Sequence, residues 1–245
     1  MLSKKYLSFI RNLNSAKKIL ESNKFLVQGE KSVLQVLKSN WKVESILCSE
    51  KFFENHKSLI FPKAESYFLL SKEQLSSIGN FVSNNSVIAI VKSKKFFPQN
   101  NLNSKIILDE INDPGNLGTI IRIADWFGIK EIVCSEKTVF FYNSKVLQAS
   151  MGSFLSVEVS YTNLKNYLPT LKIPIYSADL HGESIHKCNL SNPAAIIFGS
   201  ESHGISKELK SFISKTITIP SNKNSFAESL NVGVAAGIIC AKIFS

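Results

Sequence analysis

Apolar residues fall in short runs along the chain, and two patterns of run alternate. Continuous runs bounded by turn residues predict buried strands, and runs repeating every three to four positions predict helices. Residues 3–22 read as one basic amphipathic helix. Tyr6, Ile10, Leu13, Ile19 and Leu20 keep roughly helical spacing, and Lys4, Lys5, Arg11, Lys17 and Lys18 lie outside it. FLVQG (25–29) is a strand and turn, EKSVLQVLKSN (30–40) a helix, VESILCS (43–49) a strand and KFFENHKSLI (51–60) a further helix. YFLLS (67–71) is a strand, KEQLSSIGN (72–80) a helix and NSVIAIVKS (85–93) a strand. This alternation predicts a small α/β domain.

KSKKFFPQNNLN (92–103) breaks the pattern with a charge run, a proline and amide-rich residues, and reads as a linker. We place the first domain at 1–95, the linker at 96–104 and the second domain at 105–245. The second half alternates more clearly. Its predicted strands are KIILDE (105–110), KEIVCS (130–135), FLSVEVS (154–160), IPIYSAD (173–179), AAIIFG (194–199) and KTITIP (215–220). Its predicted helices follow DPGN through Phe127, then cover 143–152, 163–171, 206–213 and 229–244, with Gly128 stopping the first. Strands that are apolar throughout, not alternating, argue for a parallel sheet covered on both faces.

Composition bounds the function. Hydrophobic residues make up 44% of 245 residues, enough for a packed core. No apolar run approaches the ~18 residues of a membrane span. The charged start lacks the unbroken apolar core of a signal peptide, so a cytoplasmic protein is expected. Four cysteines, Cys48, Cys134, Cys188 and Cys240, are far apart in sequence, so no CxxC-type zinc or redox motif exists. The net charge of +10 favours an anionic partner, nucleic acid first. A Lys-, Asn-, Ser- and Ile-rich genome would produce the same balance.

Three stretches carry candidate chemistry. DEINDPGNLGTIIR (109–122) follows a strand, where open α/β sheets place ligands. Pro114 and Gly115 suit the turn. Asn116 can cap the helix or face a ligand, and Gly118 allows close backbone approach. Arg122 is one of only two arginines, with Arg11, in a chain whose other cationic residues are lysines. A planar guanidinium grips phosphate bidentately and an ammonium does not, so Arg122 reads as a phosphate clamp more than as a side chain reaching for water. AAIIFGSESHGIS (194–206) ends a strand at Gly199 and offers Ser200, Glu201, His203 and Gly204. It is not GxGxxG, so an ordinary Rossmann dinucleotide enzyme is disfavoured. His203 has no orienting partner in the sequence and reads as solvated. ITIPSNKNSFAESLNVGVAAGI (217–238) closes a strand at Pro220, and Ser229-Leu230-Asn231 opens the last helix. Ser229 suits its N-cap, and Asn231 on an apolar helix needs partners.

In this order, the three stretches resemble the SpoU (TrmH) class of SPOUT RNA methyltransferases. The pattern N-x-G-x-x-x-R matches Asn116, Gly118 and Arg122. G-x-E-x-x-G matches Gly199, Glu201 and Gly204. I-P…S-L-N-V matches Ile219, Pro220, Ser229, Leu230, Asn231 and Val232. SKVLQASMGS (144–153) resembles a further family segment, with Gln148 at a usual arginine. FLVQGEKSVLQVL (25–37) resembles the ribosomal-protein-like RNA-binding domain of relatives, with Asn84-Asn85 where Gln-Gly is common.

The resemblance implies a ribose 2′-O-methyltransferase using S-adenosylmethionine. It implies a C-terminal SPOUT-type parallel sheet with a trefoil knot, preceded by the small α/β RNA-binding domain, and a homodimer. The expected RNA is rRNA first and tRNA second, with a non-catalytic RNA-binding relative as the other reading and neither metal nor membrane involved. By carry-over, Asn116, Arg122, Glu201, Ser229 and Asn231 form the reaction site. Phe198, Gly199, Ser200, Gly204, Ile219, Pro220 and Leu230 hold the cofactor. The loop SNKNSFAE (221–228) has no glycine where the family usually has one.

Overall fold

The computed structural model describes residues 3–79 and 86–244. Asn84-Asn85, and Asn80 at the end of the helix expected over 72–80, lie outside the described residues. Tertiary contacts divide the chain into two compact units: Met1–Lys94 with Tyr142–Leu155, and Lys95–Phe141 with Ser156–Ser245.

In the first unit the described strands are β1 (Lys24–Gln28), β2 (Val43–Cys48), β3 (Ala64–Leu69) and β4 (Val87–Lys92), ordered β1-β4-β2-β3. β4 runs antiparallel to β1 and β2, and β3 is parallel to β2. Helices α1 (Lys4–Asn12), α2 (Ala16–Ser22), α3 (Glu30–Lys38), α4 (Glu50–Ile60) and α5 (Lys72–Ile78) cover it. The single helix expected over 3–22 is therefore two. The reason is a second cap: Ser15 is extended and its hydroxyl accepts from Lys18 N. Restarting the helix resets its phase, which turns Leu20 to solvent while Ile10, Leu13 and Ile19 stay buried.

Residues 142–155, which the sequence reading assigns to the second half, pack in this first unit. Asn143 caps α7 (Ser144–Ala149). Tyr142 and Phe154 close an aromatic cluster with Phe25 and Trp41, at ring separations of 4.5–6.4 Å. The Trp41 indole donates to Leu155 O at 3.2 Å. The strand expected over 154–160 accordingly begins only at Glu158, because Ser153–Leu155 is a 3-10 turn whose Phe154 is buried in that cluster.

The second unit carries the sheet β10-β8-β9-β5-β6-β7, parallel at every pairing. Its strands are β5 (Lys105–Asp109), β6 (Glu131–Cys134), β7 (Glu158–Tyr161), β8 (Ile175–Ser184), β9 (Ala195–Gly199) and β10 (Lys215–Thr218). β5, β6 and β9 are buried nearly throughout, as expected for a sheet covered on both faces. The helices are α6 (Pro114–Trp126), α8 (Leu164–Tyr167) and α9 (Val232–Phe244). Gly128, at φ +73°, ends α6: its N–H reaches Asp125 O and Ile129 N reaches Ala124 O. The helix expected over 206–213 is instead a 3-10 segment, Lys207–Phe212. The thiols of Cys48, Cys134, Cys188 and Cys240 are all free and buried. Burial pushes the Cys240 thiol up to about 12, so it stays protonated core. No helix among the described residues is long and apolar enough to cross a membrane.

Chain order winds outward from β5 through β6 to β7, then returns on the other side through β8, β9 and β10. The direction of winding reverses between β9 and β5, the place where open α/β sheets bind ligands beyond the carboxyl ends of their strands. The opposite end of β5 is closed by a polar hub. Lys105 is 0% exposed, and its ammonium donates to Glu131 Oε2 at 2.8 Å, Gln99 O at 2.6 Å and Tyr167 OH at 3.2 Å. Gln99 N donates to the second Glu131 oxygen at 2.7 Å. Burial, with Glu131 nearby, holds the Tyr167 hydroxyl above its ordinary range, so it remains a donor and gives its proton to Gln99 O.

Lys105→Met strands the Glu131 carboxylate and should cost about 3–5 kcal/mol, read from urea unfolding midpoints. The double variant Lys105→Met/Glu131→Leu should cost less. Equal losses for both would refute a coupled buried pair.

Candidate active site

The three singled-out stretches converge at the carboxyl ends of β5, β9 and β10. Asp113 opens α6: its carboxylate accepts from Asn116 N at 2.8 Å. Asp113 is thus the cap, and Asn116 is freed to present its side-chain amide. Pro114 and Gly115 form the first turn of the helix itself. Asp109, buried at the end of β5, accepts from Ser206 N at 2.8 Å and ties the β9 loop to the central strand.

That loop is a tight ring. Ser200 N donates to Gly204 O at 3.1 Å and Gly204 N returns the bond to Ser200 O at 2.9 Å. The ring closes against bare backbone at Gly199, where an added Cβ would lie 2.2 Å from the Gly204 carbonyl carbon. Glu201 projects from it and accepts a hydrogen bond from Asn116 Nδ2. The Asn116 carbonyl accepts from Asn231 Nδ2 at 2.8 Å. Asn231 Oδ1 in turn accepts from Gly233 N at 2.9 Å, so Asn231 caps α9. Ser229 does not: it lies ahead of the helix, exposed on the cleft wall. Asn231 was expected on the first turn of the helix; it is one position earlier and is exposed.

Beside this chain of amides is an open cleft of about 390 Å³, within the range of small-molecule sites. Phe198, Gly199, Ser200, Gly204, Ile219 and Leu230 line it, as do Glu201 and Ser229. Pro220, expected with them, is exposed and not part of the lining. The sequence reading missed Ala178, Asp179 and Leu180. They enter because the β8–β10 register breaks, so that Thr216 pairs with Ser177 but Ile217 with Glu183. The usable signal was only that they stand at the carboxyl end of the predicted strand IPIYSAD. His203 also lines the cleft, and its Nδ1 lies 2.8 Å from Ser202 Oγ. Among the described residues no group of three His, Cys, Asp or Glu is arranged to hold a metal.

Arg122 lies on the exposed face of α6 with Thr119 and Trp126, and its guanidinium has no hydrogen bond or ion pair among the described residues. It follows Asn116 by six residues, about 9 Å along the helix axis.

Residues 103–241 match the family described as SpoU rRNA methylase. The chain belongs to the SpoU rRNA methylase family. Residues 5–89 match an MRM3-like substrate binding domain, which covers most of the first unit. A Bacillus subtilis relative, the 23S rRNA (guanosine(2553)-2′-O)-methyltransferase RlmP, is 29% identical over 94% of this chain and 92% of its own. A putative RNA methyltransferase of the TrmH family from Porphyromonas gingivalis is 30% identical and superposes with a TM-score of 0.85, covering 99% of this chain and 98% of that one. The AdoMet-bound rRNA methyltransferase of Sinorhizobium meliloti shares the fold, with a TM-score of 0.86 at 24% identity over 99% and 95% of the two chains. This SpoU chain therefore has the α/β fold, parallel sheet and N-terminal substrate-binding domain of its relatives.

Gly199→Ala should force the ring at 200–204 open and cost about 1–3 kcal/mol in thermal unfolding. Gly237→Ala, within α9, is the control: its Cβ would meet Ile123 of α6 at an ordinary 3.6 Å, and the change should be neutral or stabilising by up to about 1 kcal/mol.

Proposed function

We propose that the protein methylates a ribose 2′-hydroxyl of RNA, rRNA first, using S-adenosylmethionine. One observation carries this reading: a single amide, Asn116, joins Glu201 to Asn231 beside a cofactor-sized cleft, on the helix that presents Arg122 unpaired. The full-length relative RlmP acts by name on 23S rRNA, which favours rRNA over tRNA. Lysine-rich surfaces hold phosphate without reading sequence, so the target position follows from other contacts.

The cleft suits the cofactor. Phe198, Ile217, Ile219, Leu230, Val232 and Ile239 supply apolar wall, and Asp179, Ser200 and Thr218 add polar groups. The backbone at Gly199 is bare where a side chain would fill the loop. When bound, S-adenosylmethionine supplies an electrophilic methyl group. The protein must then hold the ribose oxygen in line with it and keep both in register. Arg122 has the fork to clamp the phosphate beside the target ribose, and its charge stabilises the oxygen as its proton leaves. A guanidinium stays protonated, so we assign the proton to phosphate or water and not to Arg122. Glu201, Asn116 and Asn231 orient the loops around the reacting groups.

We also read the protein as a homodimer with the C-terminal knot of its class. Trp126, 84% exposed on α6, and Val234 and Ile238, exposed on the adjoining α9, form an apolar face that a second copy would cover. The placement of β10 beside β8, with α9 returning to pack on α6, is compatible with a knotted path.

Methyl transfer from labelled S-adenosylmethionine to rRNA of cells lacking the protein tests the reading; binding of NAD instead, or of neither, would overturn it. Arg122→Lys should lower turnover about 100-fold or more while cofactor affinity measured by calorimetry stays unchanged. Near-full turnover in that variant rules out a bidentate role. Ile238→Asp should give a monomer in analytical ultracentrifugation; an unchanged mass would remove the α6–α9 face as the interface.

A further inference from the structure

We propose that Phe226 is a stacking platform for an RNA base flanking the target nucleotide, a role that rests on the RNA-methylating reading above. Every residue from 221 to 230 is exposed, and the Phe226 ring is wholly in solvent. The loop that carries it is nonetheless shaped. Asn222 Oδ1 accepts from Asn224 N at 2.9 Å, Asn222 O accepts from Ser225 N at 3.0 Å, and Ser225 Oγ accepts from Ala227 N at 3.1 Å. Side-chain turns at Asn222 and Ser225 replace glycine, and Phe226 is the middle residue of the second, with its ring in solvent.

The foot of the loop belongs to the site. Ile219 precedes it and Ser229 and Leu230 follow it, and all three line the cofactor cleft. Phe226 is five residues from Asn231, so the two are at most about 18 Å apart. A ring at that range is within reach of nucleotides next to the one being methylated. Phe226 is not part of the cleft lining, which argues against the cofactor as its partner. Its sequence neighbours Asn222, Lys223, Asn224, Ser225 and Glu228 are polar or charged, unlike the apolar α6–α9 face, which argues against a second copy of the chain. An isolated aromatic ring flanked by amides and a lysine is the chemistry that recognises unstacked RNA bases: the ring takes the base face and the ammonium takes a phosphate.

The test uses the full chain and deproteinised rRNA from cells lacking the protein. Phe226→Ala should weaken rRNA binding by about 5- to 100-fold and raise KM for RNA correspondingly. Phe226→Tyr and Phe226→Trp should restore it, and Phe226→Leu should not. Affinity for S-adenosylmethionine and sedimentation mass should match the wild type in every variant. Full rescue by leucine would make the contact merely apolar and overturn the proposal. A changed mass would assign Phe226 to a second copy, a changed cofactor affinity would assign it to the cleft, and an unchanged rRNA affinity in Phe226→Ala would leave it no role with RNA. If the wild type neither binds nor methylates rRNA, the underlying reading fails first and the stacking role fails with it.

Discussion

Asn116 is the interaction on which the site depends. Its amide nitrogen serves Glu201 from the β9 loop, and its carbonyl accepts from Asn231 ahead of α9. Three segments far apart in sequence are thereby held to one buried side chain. Asparagine alone of the short side chains offers a donor and an acceptor at opposite corners of one plane. An aspartate would set a carboxylate against Glu201, and a leucine would leave both partners unmatched.

β5 supplies the rigid frame behind that amide. Its first residue, Lys105, and its last, Asp109, are both buried and both bonded to other segments. Lys105 gathers Gln99, Glu131 and Tyr167 at the amino end, and Asp109 holds Ser206 at the carboxyl end. Roughly 13 Å of extended chain separates the two. The three singled-out stretches collect at one end because the parallel sheet brings every strand out on the same side there.

Much of this was legible in the chain. Strands such as β5 and β9 are apolar at every position because both faces are covered, and their limits follow from that pattern. Arg122 stood out through contrast with the lysines of the chain, and the structure leaves it exposed on α6. What was not legible depends on contacts between distant residues. Ala178–Leu180 reach the cleft at a register break between β8 and β10, a pairing of distant segments that no local pattern encodes. The exchange of cap from Ser229 to Asn231 depends on Asn116, more than a hundred positions away. Phe154 reads as the start of a strand until Phe25 and Trp41 supply the cluster that buries it. The break at Ser15 was in the sequence as a capping residue, but the hydrophobic spacing across it looked continuous.

The loop at 221–228 has a consequence for how such a protein diversifies. Among the described residues its hydrogen bonds begin and end within the loop, between Asn222, Asn224, Ser225 and Ala227. Its length and side chains can therefore drift without disturbing β10, α9 or the amide network beyond it. A scaffold arranged this way separates two rates of change: the amide network joining Asn116, Glu201 and Asn231 ties three segments together and tolerates little, while the outer rim is free to vary. Loop exchange between relatives would then alter the rim of the cleft without altering the network behind it.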